Sequence, residues 1–172
     1  GFSGVNDLIA SDHGFNPILD FTGFAGMNLE GSISVAREAK FNSTVGFYKI
    51  QNSNGAVLDP FTGTLVNPGS PFYRLWALHS SNLFSPLGVL SANNGKTIIN
   101  SIDSFSEAEM IAPYASIRDT GQTYFSFPDA NADKISHFRE FGNGVIGLED
   151  QYRGGDNDFD DLIFALNLKL TS

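Results

Sequence analysis

No part of this chain runs far before a Gly, Asn, Ser, Asp or Pro interrupts it, and the interruptions recur about every ten residues. Between them lie short apolar or alternating runs, too short for ordinary helices. That rhythm predicts an all-β fold, an antiparallel sandwich of jelly-roll type with one or two short helical turns. Sixteen Phe and eighteen Gly, against two Met and one Trp, suit strands and tight turns. "STVGFYKI" (43–50) is apolar on both faces and is expected to be a central strand. "QNSNGAVL" after it carries a hairpin signal, because Asn54 and Gly55 tolerate positive φ. "GKTIINSIDSF" and "EMIAPYASI" are weaker strands, and Pro113 in the second predicts an edge or a bulge. "TYFSF" (123–127) is a short aromatic strand. "KISHFREF" (134–141) and "GVIGLED" (144–150) flank a tight turn at Gly142 and Asn143. "DLIFALNLKL" (161–170) puts Leu162, Phe164, Leu166, Leu168 and Leu170 on one face, with Asn167 and Lys169 opposite. A helical turn is expected within 70–84, with Ser70 as N-cap and Pro71 at the first position. Residues 1–40 are harder to place: "LEGSISVAREAKF" reads as a strand, although its Ala-Arg-Glu-Ala-Lys also suits a helix.

At 172 residues the chain can build one domain with a sizeable core, and no linker or repeat divides it. One β-sandwich over 1–172 is the simplest organisation. The net charge of −9 argues against nucleic acid and against anionic membranes, both of which need a basic surface. No apolar stretch reaches the ~20 residues of a membrane helix, so no membrane insertion is expected. "GFSGVNDLIAS" has no basic start and no long apolar run, and so does not read as a signal peptide. With no cysteine, disulfides, thiolate catalysis and cysteine metal sites are excluded.

The strongest chemical signal lies near the C-terminus. From Glu149 to Asp161 stand six acids (Glu149, Asp150, Asp156, Asp158, Asp160, Asp161) and one base, Arg153. This run is clamped between two predicted strands, so its charges cannot splay freely into water. Crowded carboxylates are relieved by water, by protons or by a shared cation. Calcium takes six to eight oxygens from carboxylates, amides and main-chain carbonyls. Asp156, Asp158 and Asp161, with Glu149 or Asp150, are the first candidate ligands; Asp160 and Asn157 can add side-chain or main-chain oxygens. A solvated acidic turn with Asp caps is the alternative. A second candidate set is Asp129, Asn131 and Asp133, at the D-x-N-x-D spacing of calcium loops. Lys134 stands where such loops carry glycine. Glu140 holds the twelfth position, but in a predicted strand, so an EF-hand is not expected. A calcium loop between strands and an Asx-rich turn both remain open.

"VGFYKI", "SFPDANADKISHFREF" and "IGLEDQYRGGDNDFDDLIFAL" resemble the DUF4114 family over roughly 41–170. The match to that family's closing motif runs through Glu149, Asp150, Gly154, Gly155, Asp156, Asp158, Phe159, Asp161 and Leu162. Asp160 stands where Asn is commoner, and Leu148 where an aromatic is commoner. The resemblance implies a β-rich module that associates with calcium. Its expected setting is a large secreted or surface-anchored bacterial protein with RTX repeats or adhesin modules.

The expected function is a non-catalytic calcium-binding module whose ion orders the acidic loops, acting in adhesion or as a structural spacer. Neighbouring domains of a larger chain, a glycan or a surface protein are the expected partners. The alternative is a calcium-dependent, lectin-like carbohydrate-binding module, for which Trp76, Tyr73, Phe72 and Phe84 are a candidate sugar-stacking patch. A glycoside hydrolase stands behind both, because nineteen acids give carboxylate pairs at suitable separations by chance. His13, His79 and His137 lack metal spacing and read as core or surface residues. No G-x-S-x-G, H-E-x-x-H or P-loop pattern occurs.

Overall fold

The computed structural model describes residues 4–10, 14–155 and 159–171. Its elements are α1 (Gly4–Ile9), β1 (Leu19–Asp20), β2 (Leu29–Arg37), β3 (Ser43–Ile50), β4 (Val57–Leu58), β5 (Leu65–Val66), α2 (Tyr73–Ala77), β6 (Thr97–Phe105), β7 (Met110–Ile117), β8 (Thr123–Phe125), β9 (Phe138–Gly142), β10 (Val145–Leu148) and β11 (Leu162–Leu170). Alternation in β11 becomes structure directly. Leu162, Phe164, Leu166 and Leu168 are buried, while Asn167, Lys169 and Leu170 are exposed. β11 pairs with β2 along its whole length, from Leu162 opposite Arg37 to Leu170 opposite Leu29. It pairs with β10 on its other side, and the five-stranded antiparallel sheet runs β6-β2-β11-β10-β9. "LEGSISVAR" is thus an interior strand, which settles its helix-or-strand ambiguity and ties residues 29–37 to the same sheet as the C-terminus. The turn from β9 to β10 has positive φ at Gly142, Asn143 and Gly144, as the Gly-Asn signal predicts.

The second sheet is four-stranded and centred on β7. β3 pairs with one side of it from Ser43–Ile117 to Ile50–Met110, while β1 and β8 pair with its two ends on the other side. The chain crosses between sheets at β2–β3 and again at β6–β7. This is the sandwich expected from the sequence. Apolar side chains of both sheets meet in one cluster, where Phe47 and Phe164 make an edge-to-face contact at 5.7 Å. A second cluster covers the outer face of the β7 sheet. There Tyr48, Ile50, Ala112 and Phe125 lie under Val57, Tyr73 and Ala77 from the β4–β5 hairpin and α2.

Four local expectations change. β3 is buried on both faces but is not central in its sheet; residues 82–90 cover its outer edge instead. Val45 and Leu90 exchange backbone hydrogen bonds, Phe84 donates to Phe47, and Lys49 donates to Asn82. Pro113 sits in the middle strand, not at an edge. Because Val45, Phe47 and Lys49 direct their backbone groups outward, the Phe47–Pro113 pair is of the non-hydrogen-bonded type. The proline nitrogen therefore faces the gap between β1 and β8, where no ladder bond is lost. The turn at "QNSNGAVL" forms, with Gln51 donating to Ala56, but it does not join paired strands: β4 pairs with β5. Finally, Ser70 does not cap α2. Its Oγ accepts from the Phe72 N–H at 3.1 Å in the turn ahead, and Phe72 is the N-cap.

Phe164 is fully buried between the sheets. Phe164→Ala is expected to cost about 3–5 kcal/mol in urea unfolding, through lost burial and the cavity left behind. A cost below about 1 kcal/mol would contradict this packing.

Candidate metal centre

The β10–β11 ladder decides where the acids go. Leu148 lies opposite Leu162 as the last pair, so Glu149 and Asp150 leave one strand beside Asp161 entering the other. The Asp161 N–H donates to the Leu148 carbonyl at 3.1 Å, and the Asp150 N–H donates to Asp161 Oδ2 at 2.9 Å. Oxygens of Glu149, Asp150 and Asp161 consequently lie within 4.8 Å of one another. Glu149 and Asp150 are buried, and Asp161 is half-buried.

The loop that joins these strands is pinned close to the acids. Gly155 has φ +47, and a Cβ there would lie 2.9 Å from Glu149 Oε1, so the chain crosses directly over that carboxylate. At the return, a Cβ on Gly147 would strike the Phe159 carbonyl oxygen, so β10 and the returning loop approach backbone to backbone. Phe159 is buried, adopts a positive φ, and contacts the Phe15 ring at 5.6 Å.

Burial, then the Asp161 charge beside it, pushes the Asp150 carboxyl up from 3.8 to about 7. The Ser43 hydroxyl, which donates to Asp150 Oδ2 at 3.3 Å, and the nearby Arg37 charge oppose that rise without cancelling it. Arg37 forms no ion pair among the described residues. Its guanidinium donates to the carbonyls of Ala39, Lys40 and Ala92 and to Asn42 Oδ1.

Beside the acids lies a buried tie that the sequence reading missed. The two ring nitrogens of His137 lie 2.6 Å from the Glu149 carbonyl and 2.6 Å from Asp133 Oδ2. The ring thus bridges a backbone carbonyl and a carboxylate. Burial works to raise the Asp133 carboxyl, but the Arg153 N–H and the His137 imidazole outweigh it and hold it below 3.8. The His137 ring stacks on Tyr124 at 3.5 Å. Tyr124 is buried, and its hydroxyl has no hydrogen-bond partner among the described residues. Burial first, then the charges of Asp133, Asp150 and Glu149, raises its pKa. The i, i+4 spacing of Asp133 and His137 was the available signal, and it is weak outside a helix.

Of the expected ligands, Glu149, Asp150 and Asp161 come together. Asp160 is half-buried and stands outside that group. Asp156, Asn157 and Asp158 lie outside the described residues, as does His13. The second set does not converge as a calcium loop. Asn131 Oδ1 accepts from the Phe125 N–H, and its amide nitrogen donates to the carbonyls of Phe125 and Ile135. It bridges β8 to the following turn, so neither its own oxygen nor the Ile135 carbonyl faces a cation. Asp129 is exposed, and Asp133 belongs to the histidine tie. The expected aromatic patch also divides. Tyr73 and Phe84 are buried, Phe72 is exposed, and Trp76 meets Phe61 and His79 at the surface.

These features coincide with a recognisable segment. Residues 89–169 match the DUF4114 family model, a domain of unknown function. No curated protein and no solved structure matches the chain. The DUF4114 match spans β6 to within one residue of the end of β11, and so contains the whole acidic centre. It begins later than the resemblance seen from residue 41. β2 and β3, which complete the two sheets, lie before it.

A carboxyl whose folded pKa exceeds its unfolded value contributes stability below the unfolded value and loses it as pH rises through the folded one. For Asp150 that window runs from about pH 4 to about pH 7. In chelator, wild-type melting temperature is expected to fall across this window by more than that of Asp150→Asn. Parallel melting profiles for the two proteins would contradict the assigned environment of Asp150.

Proposed function

We propose that this chain is a non-catalytic calcium-binding β-module of a secreted or cell-surface bacterial protein. The observation that carries the reading is the convergence of Glu149, Asp150 and Asp161 at one end of the β10–β11 ladder. Three carboxylates this close, two of them buried, repel one another more strongly than they would in water. Arg37 is occupied by carbonyls, and the ionisation of Asp150 is already suppressed. The donor set is all oxygen, with no thiolate or imidazole, which suits a hard cation such as calcium and does not suit zinc. Glu149, Asp150 and Asp161 would hold the ion, and it would supply charge neutralisation at the base of the acidic loop. The unpartnered Tyr124 hydroxyl nearby offers a neutral oxygen to such a site.

A non-catalytic role is supported by the His137–Asp133 pair. In an open cleft it would suggest general-base chemistry, but both side chains are fully buried here, so it acts as a structural tie. The extracellular setting and an adhesive or spacer role extend the DUF4114 resemblance. Millimolar calcium outside cells would fill even a weak site.

Thermal unfolding in CaCl2 and in chelator tests the reading. Calcium at 100-fold over its Kd is expected to stabilise the fold by about 2.7 kcal/mol. Asp161→Asn and Glu149→Gln are expected to abolish most of that gain. A melting curve indifferent to calcium and chelator would refute the proposal.

A further inference from the structure

On the far side of Arg37 and Ser43 from the acidic centre lies an open groove of about 680 Å³, within the range of small-ligand sites. Its charge is opposite to that of the molecule. Three of the chain's ten Lys and Arg line it (Arg37, Arg74 and Arg118), and among the described residues no Asp or Glu does. Arg37 is a fixed positive wall, since four oxygens hold its guanidinium. Arg74 on α2 and Arg118 just beyond β7 are exposed, and their guanidinium groups make no hydrogen bond or ion pair among the described residues. Asp119, the acid beside Arg118, is turned to the Asn42 N–H at 2.6 Å. A smaller recess of about 440 Å³ continues past Arg74 and Gln122 to Lys134, where Asp129 is the one acid of the lining among the described residues.

Unpaired arginines in an acid-free groove select anions, because the guanidinium fork matches carboxylate and sulfate oxygens. Between the arginines, beside the apolar Ala92, Ile98 and Ile117, the lining offers amides and hydroxyls (Asn42, Asn93, Gln122, Ser91, Ser116 and Thr123). Such groups exchange hydrogen bonds with a ligand rich in hydroxyls. The net charge of −9 repels a polyanion at long range, so recognition must be local to this groove.

We propose that this groove binds acidic saccharides, with Arg74 and Arg118 holding carboxylate or sulfate groups and the polar lining holding ring hydroxyls. The site is separate from the calcium reading, because no cation ligand lines it.

Calorimetric titration of the whole chain with an oligogalacturonide, a heparin oligosaccharide and neutral maltotetraose tests the proposal, each in calcium and in chelator. At least one anionic probe is expected to bind and maltotetraose not to. Uronate-only or sulfate-only binding identifies which anion the groove takes. Arg74→Gln and Arg118→Gln are each expected to weaken binding about tenfold with unchanged melting temperature. Binding is expected to persist in chelator, even if calcium proves irrelevant to stability. The proposal is overturned if neither anionic probe binds better than maltotetraose. It is equally overturned if both arginine variants bind like wild type, or if chelator abolishes binding.

Discussion

The end of the β10–β11 ladder is the constraint on which the rest depends. Once Leu148 and Leu162 pair, three carboxylates must share one small volume. Their repulsion is amplified by burial, where charges are less well screened than in water. The pairing nevertheless forms because Ile146, Leu148, Leu162 and Phe164 are all but fully buried, each gaining about 1.5–3 kcal/mol. The apolar core thus imposes the acidic cluster, and the repulsion within it favours whatever relieves it. Either a proton or a cation could relieve it, and burial beside Asp161 shifts the Asp150 carboxyl toward holding the proton. The two compete for the same oxygens.

The sheets were largely legible because one-sided burial writes a period of two into the chain. β11 shows this most clearly, and the Gly-Asn turn between β9 and β10 was equally plain. Position within a sheet was not. β3 looks central because both its faces are buried, yet its outer edge is covered by residues 82–90, a contact that no local pattern encodes. Pro113 misled for a related reason. It marks a gap in one side of a ladder, and such a gap arises in a middle strand as well as at an edge.

The acids divide along the same line. Glu149, Asp150 and Asp161 were recoverable because predicted strands clamp both ends of their loop. Asp129, Asn131 and Asp133 have calcium-loop spacing, but spacing does not say where an oxygen points. Asn131 turns inward to bridge β8, and Asp133 turns to His137. The arginine groove left no trace in the sequence at all. Its walls come from α2, the end of β7 and the β2–β3 connection, which are distant along the chain.

Arg37 and Ser43 belong to both sites at once. Ser43 donates to Asp150 and also lines the groove, and the Arg37 charge acts on Asp150 while forming a wall of the groove. A single layer of side chains therefore separates the carboxylate cluster from the arginine-lined groove. Coulomb's law fixes the sign of what passes between them. Ionised acids lower the potential felt by an anion in the groove, and neutralising them with a cation raises it. A cation held by the acidic centre would therefore strengthen an anion's hold on the groove without contributing a single ligand to it. The direction of that coupling is set by the fold, because Arg37 is held by carbonyl and amide oxygens and has no freedom to move its charge from one side to the other.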